Sequence, residues 1–266
     1  HRLTGTINGK SARSWVQDAE RELAQLPEVR IIRRGVAFGC HDHNFVTVRE
    51  SLTDHLPLAD RKGFRERLWR VRAGQVILAT GAHERPMVFG NNDLPGVMLS
   101  SAMADYAELY GVRVGAQVVI ATSCDSAYAD ARLLQAAGAK VSVVDCRAGE
   151  AQGGSRAHQA QADGITVLRG FVPVQAKGSM AVSALFVRQM DGDKASGQTR
   201  ELPCDAIGMA GGWNPAIHLY SHSGGKARWD DELLCFTPGA AMPDQVSVGA
   251  CNATWSLGSA LDEGSL

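Results

Sequence analysis

The sequence predicts an α/β fold built from two Rossmann-type modules, and three stretches carry that prediction. Residues 116–147, "AQVVIATSCDSAYADARLLQAAGAKVSVVDCR", read as strand, helix, strand. Residues 76–86, "VILATGAHERP", read as an apolar strand that ends in Thr80-Gly81-Ala82 and breaks into a turn. Residues 246–264, "VSVGACNATWSLGSALDEG", read as a strand, a tight turn and a helix. A crossover as short as the one in 116–147, joining two buried strands, requires parallel pairing. Gly138 is well suited to close its helix.

The remaining elements follow in order. Residues 10–26 have helical spacing, with Trp15, Ala19, Leu23 and Leu26 on one face. Residues 29–40 and 44–51 read as two strands joined around His41-Asp42-His43-Asn44. Residues 66–81 read as a further strand pair with Ala73-Gly74 in the turn, and Gln75 to Ala79 is apolar enough for a buried strand. A turn-rich loop at 91–96 precedes a helix at about 100–110. Beyond 147 come a helix near 155–162, a strand at 165–168, and a β-rich stretch over 170–190. An exposed hairpin or loop at 191–201 leads to a strand within 204–215 that runs into a Gly-rich exit. Residues 218–232, "HLYSHSGGKARWDDE", read equally as a solvated loop or as a subunit or cofactor contact.

A chain of 266 residues suits one large domain or two smaller ones. Hydrophobic residues at 45%, charged residues at 21% and a net charge of −1 describe an ordinary soluble globular protein. Near-neutrality gives no global argument for binding nucleic acid or an anionic membrane. No apolar run approaches the roughly 20 residues that span a bilayer. The chain opens on His1, and its first ten residues do not form a signal peptide, so it reads as part of a longer protein. Six cysteines, none in a Cys-x-x-Cys pair or a zinc spacing, read as reduced core thiols of a cytoplasmic protein without a redox dithiol. His41 and His43 lack a third ligand, which favours a polar turn over a metal site.

The nucleotide motifs are degenerate where they are visible. A dinucleotide fingerprint needs G-x-G-x-x-G, for a tight turn, for backbone contact with pyrophosphate, and for helix-on-strand packing. In 116–147 those positions fall on Thr122, Cys124 and Ala127, and only Ala127 is a usual substitute. The loop Thr122, Ser123, Asp125 and Ser126, with Asp145 at the next strand end, is the visible candidate site. Cys124 and Asp125 work against it. A carboxylate at the helix N-terminus takes the anion's place and repels pyrophosphate, at about 4 kcal/mol for unit charges 4 Å apart at a surface-like dielectric. An ordinary NAD site and a Rossmann unit with an altered phosphate grip both remain open.

Thr80, Gly81 and Ala82 form the second candidate wall, because Gly81 permits close backbone approach. Gly211-Gly212-Trp213-Asn214-Pro215 and Val248-Gly249-Ala250-Cys251-Asn252 follow strands in the same way, the order in which three such segments recur in two-Rossmann flavoproteins. Arg85 is a candidate phosphate or partner contact, and no residue of the His83-Glu84-Arg85 patch is assigned a catalytic role.

In "DHNFV" (42–46), 65–99, "DSAY" (125–128), 212–230 and "GACNATWSLGSAL" (249–261), the sequence resembles the alpha subunits of heterotetrameric sarcosine oxidase. Subunits of opine oxidase and hydrogen cyanide synthase share the ATGA-x-ERP and LPGVM parts. The resemblance implies a glutathione-reductase-like flavoprotein with two dinucleotide-binding domains. Residues 1–113 plus 214–266 would form an incomplete first domain, with its G-x-G-x-x-G expected upstream of residue 1. Residues 114–213 would form an inserted, degenerate second one.

It further implies NAD on this subunit, FMN at the interface with a beta-type subunit, and FAD and tetrahydrofolate elsewhere in the complex. A small amine would be the complex's substrate. The retained dinucleotide lining would be Thr80, Gly81 and Ala82 with Gly249, Ala250, Asn252 and Thr254. Flavoproteins of this type carry Asp after the last Gly; Ala250 stands there, which weighs against FAD and for another dinucleotide. The alternatives are a non-catalytic scaffold, a subunit of another amine- or opine-oxidising enzyme, and an independent NAD(P)H-flavin oxidoreductase.

Overall fold

The computed structural model describes residues 6–148, 154–192 and 194–265. The chain divides into two compact units, one of residues 1–78, 218–226 and 240–246, the other of 79–217, 227–239 and 247–266.

The first unit opens with a short hairpin, Thr6–Ile7 with Lys10–Ser11, and the helix Ala12–Leu23, which Ser11 caps by accepting the Ser14 N–H at 3.2 Å. An antiparallel meander follows, Gly35–His41, Phe45–Ser51 and Glu66–Arg72. Its first turn holds His43 and Asn44 at φ 57° and 52°, a left-handed conformation that Asn and His tolerate better than most residues.

The structure corrects one pairing. Val76–Leu78 does not pair with Glu66–Arg72 through Ala73-Gly74; it lies beside a strand that begins at Gln245, and the Val76 N–H donates to the Asp244 carbonyl at 2.9 Å. Nor is this strand buried throughout, since Ile77 is 67% exposed. An unbroken apolar run matches a two-sided buried strand but does not by itself produce one.

The second unit is a five-stranded parallel sheet in the order Thr166–Arg169, Lys140–Asp145, Gln117–Thr122, Ala206–Ala210, Val97–Leu99. Residues 97–99 extend it upstream of residue 114. Strand side chains alternate between its faces. Val118, Ile120, Val141 and Val143 meet Met103, Tyr128, Ala131, Leu134 and Ala157 of the helices Ser100–Tyr110, Ser126–Ala136 and Gly154–Ala162. Val119, Val144 and Ile207 meet Ala176, Leu185 and Val187 on the other face. Those three belong to an antiparallel meander of Phe171–Gly178, Val182–Asp191 and Lys194–Pro203. Coverage on both faces is what an all-parallel sheet requires.

The two charged residues after the "ATGA" turn also serve this architecture. Glu84 is buried and accepts from the Ser101 N–H and the Ser100 hydroxyl, both at 2.9 Å. It thereby caps the helix Ser100–Tyr110, whose own N-cap residue, Leu99, offers no side-chain acceptor. Arg85 continues past the short pairing of Ala82–Glu84 with Trp213–Pro215, exchanging backbone hydrogen bonds of 2.8 Å with Gly211 and Gly212. A Cβ on Gly211 would lie 2.8 Å from the Arg85 carbonyl oxygen, so the glycine pair serves close backbone approach.

Candidate functional site

The sequence-predicted residues gather at two places in the second unit. The first is the Ala216 carbonyl, where three distant segments converge. Thr80 Oγ1 donates to it at 2.7 Å, the Cys251 thiol lies 3.6 Å away, and the Ala216 N–H returns a 2.9 Å bond to the Gly81 carbonyl. Gly81 has φ 73°, and a Cβ built there would meet nothing within 4 Å. Thr80, Gly81 and Ala82 therefore form a wall whose glycine faces open space, as a backbone-contact position for a ligand must.

The third of those segments is already bonded from within. The Glu263 carboxylate accepts from the Gly249 N–H at 2.6 Å, from Asn252 Nδ2 at 3.1 Å, and from the Thr254 hydroxyl. Ala250 contributes backbone only, inside the short 3-10 turn Gly249–Asn252. The hydrogen bonds from Thr254 first, then Gly249 and Asn252, hold the Glu263 carboxyl below its ordinary value of 4.5. Its contribution to stability is therefore complete above the ordinary glutamate range and is lost as pH falls through the lowered folded value. Glu263→Gln is expected to flatten the acid limb of a thermal-stability profile below about pH 4.5; an unchanged limb would show that the carboxylate does not hold this loop.

The second place is the loop between the parallel strands Gln117–Thr122 and Lys140–Asp145. Thr122 Oγ1 accepts the Cys124 N–H at 3.0 Å and donates to the Ala210 carbonyl at 3.1 Å, while the Ser123 N–H donates to that same carbonyl at 3.0 Å. Ser126 Oγ accepts from the Trp213 indole at 3.0 Å. Asp145 is fully buried and takes the Arg147 guanidinium in a two-pronged contact at 2.9 Å, the Arg147 N–H at 2.9 Å and the Tyr128 hydroxyl at 2.7 Å. The same guanidinium pairs with Asp125 at 2.9 Å.

Arg147 is thus an internal cation joining the helix N-terminus to the strand-end carboxylate. Burial works against its charge, but Asp145 and Asp125 hold it above its ordinary value. Burial, then Asp145, pushes the Tyr128 hydroxyl up as well, and burial takes the Cys146 thiol to about 12. The Ser123 and Cys124 N–H groups and the ribose-position carboxylate are bonded within the protein, and Asp125 stands at the helix start, an arrangement that works against a pyrophosphate at this loop.

A cavity of about 300 Å³ in the first unit is lined in part by His41, Asp42, His43, Ser223, Asp244 and Gln245. His41 and His222 stack edge to face at 4.5 Å, and Gln245 donates to the buried Cys40 sulfur at 3.2 Å. No group of three or more metal-ligating side chains occurs among the described residues. The "HSGGK" run is explained here, because a Cβ on Gly225 would fall 2.5 Å from the Tyr220 ring. All six cysteines are free, and burial lifts the Cys204 thiol to about 12.

No family model matches the chain. Over 261 residues, 97% of its length, it is 40% identical to sarcosine oxidase subunit alpha of Corynebacterium sp. (strain P-1). Over 263 residues it is 40% identical to the subunit of that name in Rhizobium meliloti (strain 1021). The chain is homologous to sarcosine oxidase alpha subunits. It spans 27% and 25% of the length of those two relatives.

Among solved structures it resembles the HOCl-induced flavoprotein disulfide reductase RclA of Escherichia coli, with a TM-score of 0.62 and 15% identity over 94% of this chain and 52% of that one. L-proline dehydrogenase of P. horikoshii matches with a TM-score of 0.59 and 19% identity over 94% of this chain and 42% of that one. Thioredoxin reductase of Lactococcus lactis matches with a TM-score of 0.57 and 18% identity, over 86% and 70%. The chain therefore shares the α/β fold of these solved oxidoreductases. No helix among its described residues is long and apolar enough to cross a membrane.

Sequence reasoning missed Arg147 and Glu263, the two residues that bond the candidate loops from within. Arg147 had a local signal, an arginine two residues after the strand-end Asp145, where a guanidinium reaches back to the carboxylate. Glu263 had none, since an acidic residue near the end of a helix is unremarkable in sequence.

Proposed function

We propose that the chain is the nucleotide-binding part of the alpha subunit of a cytoplasmic sarcosine oxidase complex, which oxidises an N-methyl amine by flavin chemistry. The match over 97% of the chain to sarcosine oxidase subunit alpha carries this reading. In it, NAD is taken along the wall of Thr80, Gly81 and Ala82. The five-stranded sheet, which Val97–Leu99 joins from upstream of residue 114, belongs to a second dinucleotide-type domain whose loop at 122–126 is held by Arg147 and serves as scaffold. FMN lies against a beta-type subunit, FAD and tetrahydrofolate are bound elsewhere in the complex, and this chain supplies no proton-abstracting residue.

Two measurements test the reading. The purified, active assembly is expected to show flavin absorbance and to release NAD on denaturation; absence of both would overturn the proposal. Gly81→Val places a side chain in the open space before the wall. Its cost to folding is that of a left-handed non-glycine residue, about 1–2 kcal/mol. Bound NAD is expected to fall at least tenfold with the fold retained, and an unchanged NAD content would remove the wall from the site.

A second reading, a non-catalytic scaffold, is favoured by one observation: the donors of Gly249, Asn252 and Thr254 are bonded to Glu263. Calorimetry decides between them, because micromolar NAD binding at the Thr80–Ala82 wall, abolished by Gly81→Val, excludes the scaffold.

A further inference from the structure

The segment that composition left undecided, Ala227–Asp230, forms a hairpin with Cys235–Pro238. Its register sets Trp229 opposite Phe236, with Arg228 opposite Thr237 and Asp230 opposite Cys235. Alternation gives the hairpin two unlike faces. On one, Cys235 and Thr237 are buried, at 1% and 6% exposure. On the other, Trp229 and Phe236 stand 46% and 54% exposed, their rings packed edge to face at 5.1 Å. A solvated face of an antiparallel pair ordinarily carries polar residues. Here it carries an aromatic cross-strand pair, continued at the tip by the exposed Leu233 and Leu234.

The tip is built to hold that display. Asp230 Oδ1 accepts the backbone N–H groups of Glu232 and Leu233 at 3.0 and 2.9 Å, and the Trp229 indole donates to Asp231 at 2.9 Å. Leu234 is held at φ 51°, a conformation unfavourable for a branched apolar side chain, and Arg85 Nη1 donates to its carbonyl at 3.0 Å. A merely solvated loop has no need of this strain or of an arginine to support it. Past the strand end, the exposed Asp231 and Glu232 set an acidic rim at the tip, beside the apolar centre.

We infer that the outward face of this hairpin is a docking surface for another subunit of the oxidase, one that offers an apolar pocket bordered by lysine or arginine. An aromatic anchor with a charged rim is the composition of an interface centre, and the acidic run selects a basic border by charge complementarity. The inference rests on the subunit reading proposed above. Its test does not involve cofactor content, so the two can fail separately.

The test is subunit association in the assembled oxidase. Trp229→Thr with Phe236→Thr keeps strand-forming residues on the outward face and is expected to weaken association at least tenfold, with the thermal transition of the chain retained. Glu232→Lys is expected to slow association and to weaken its dependence on salt. Hydroxyl-radical footprinting supplies a readout in the native protein, with Trp229 and Phe236 modified in the separate subunit and protected in the complex. Association at the native strength in the aromatic double variant, or equal modification in both states, would overturn the inference.

Discussion

Replacing Arg147 with Met is expected to destabilise the protein by about 3–5 kcal/mol, the usual consequence of leaving one partner of a buried ion pair uncompensated. Asp145 is fully buried, and Arg147 supplies both its guanidinium contacts and a backbone N–H. The backbone N–H of residue 147 at 2.9 Å and the Tyr128 hydroxyl at 2.7 Å would remain, both neutral donors to a buried carboxylate that has lost its cation. Chemical denaturation followed by far-UV circular dichroism measures the loss. Asp145→Asn in the Arg147→Met background removes the stranded charge and is expected to recover part of it. A single variant as stable as the native protein, or a double variant worse than the single, would show that Arg147 is not the counter-ion that closes this loop.

The second large effect is expected at Glu84. Glu84→Leu removes the acceptor of the Ser101 N–H and one partner of the Ser100 hydroxyl, both at 2.9 Å, in a buried setting. Hydrogen bonds to charged groups contribute about 1.5–3 kcal/mol, and the Ser101 N–H at a helix start would be left without its acceptor. Ser100 keeps its 2.7 Å contact with Asp130, which limits the loss to about 2–3 kcal/mol. Glu84→Gln retains an acceptor oxygen and is expected to cost about half as much. Thermal melting distinguishes the two substitutions. Equal melting points for Leu and Gln would mean that Glu84 does not cap the helix.

These two residues show how differently the same kind of signal behaves in sequence. The "HERP" patch reads as a surface charge cluster, yet Glu84 is buried and caps a helix sixteen positions on, while Arg85 supports the tip of a hairpin at Leu234. Nothing local marks them as structural, because their partners lie far along the chain. By contrast, the strand-helix-strand of 116–147 is legible from its spacing, since parallel pairing of Gln117–Thr122 with Lys140–Asp145 follows from a short crossover between two apolar runs. The strand pair at 66–81 fails for an intermediate reason. Apolar content marks Val76–Leu78 as a strand, but a run of three residues does not specify which neighbour it joins.

The degeneracy of the fingerprint was legible without the structure: Cys124 and Asp125 stand where a pyrophosphate would approach. How the loop compensates was not. Arg147 between Asp125 and Asp145, and Glu263 on the Gly249 turn, are choices among many possible ion and hydrogen-bond partners.

Periodicity and glycine placement are local properties, fixed by the pleat of a strand and the pitch of a helix. They determine from sequence alone that the chain is α/β, that residues 116–147 cross over in parallel, and that the "ATGA" turn ends a strand. Ion pairing, capping at a distance, and the unlike faces of the hairpin Ala227–Pro238 depend on which distant segments meet at hydrogen-bond distance. Sequence spacing carries no record of that meeting, so the tertiary structure alone decides which candidate loop is bonded from within and which apolar side chains are left facing water.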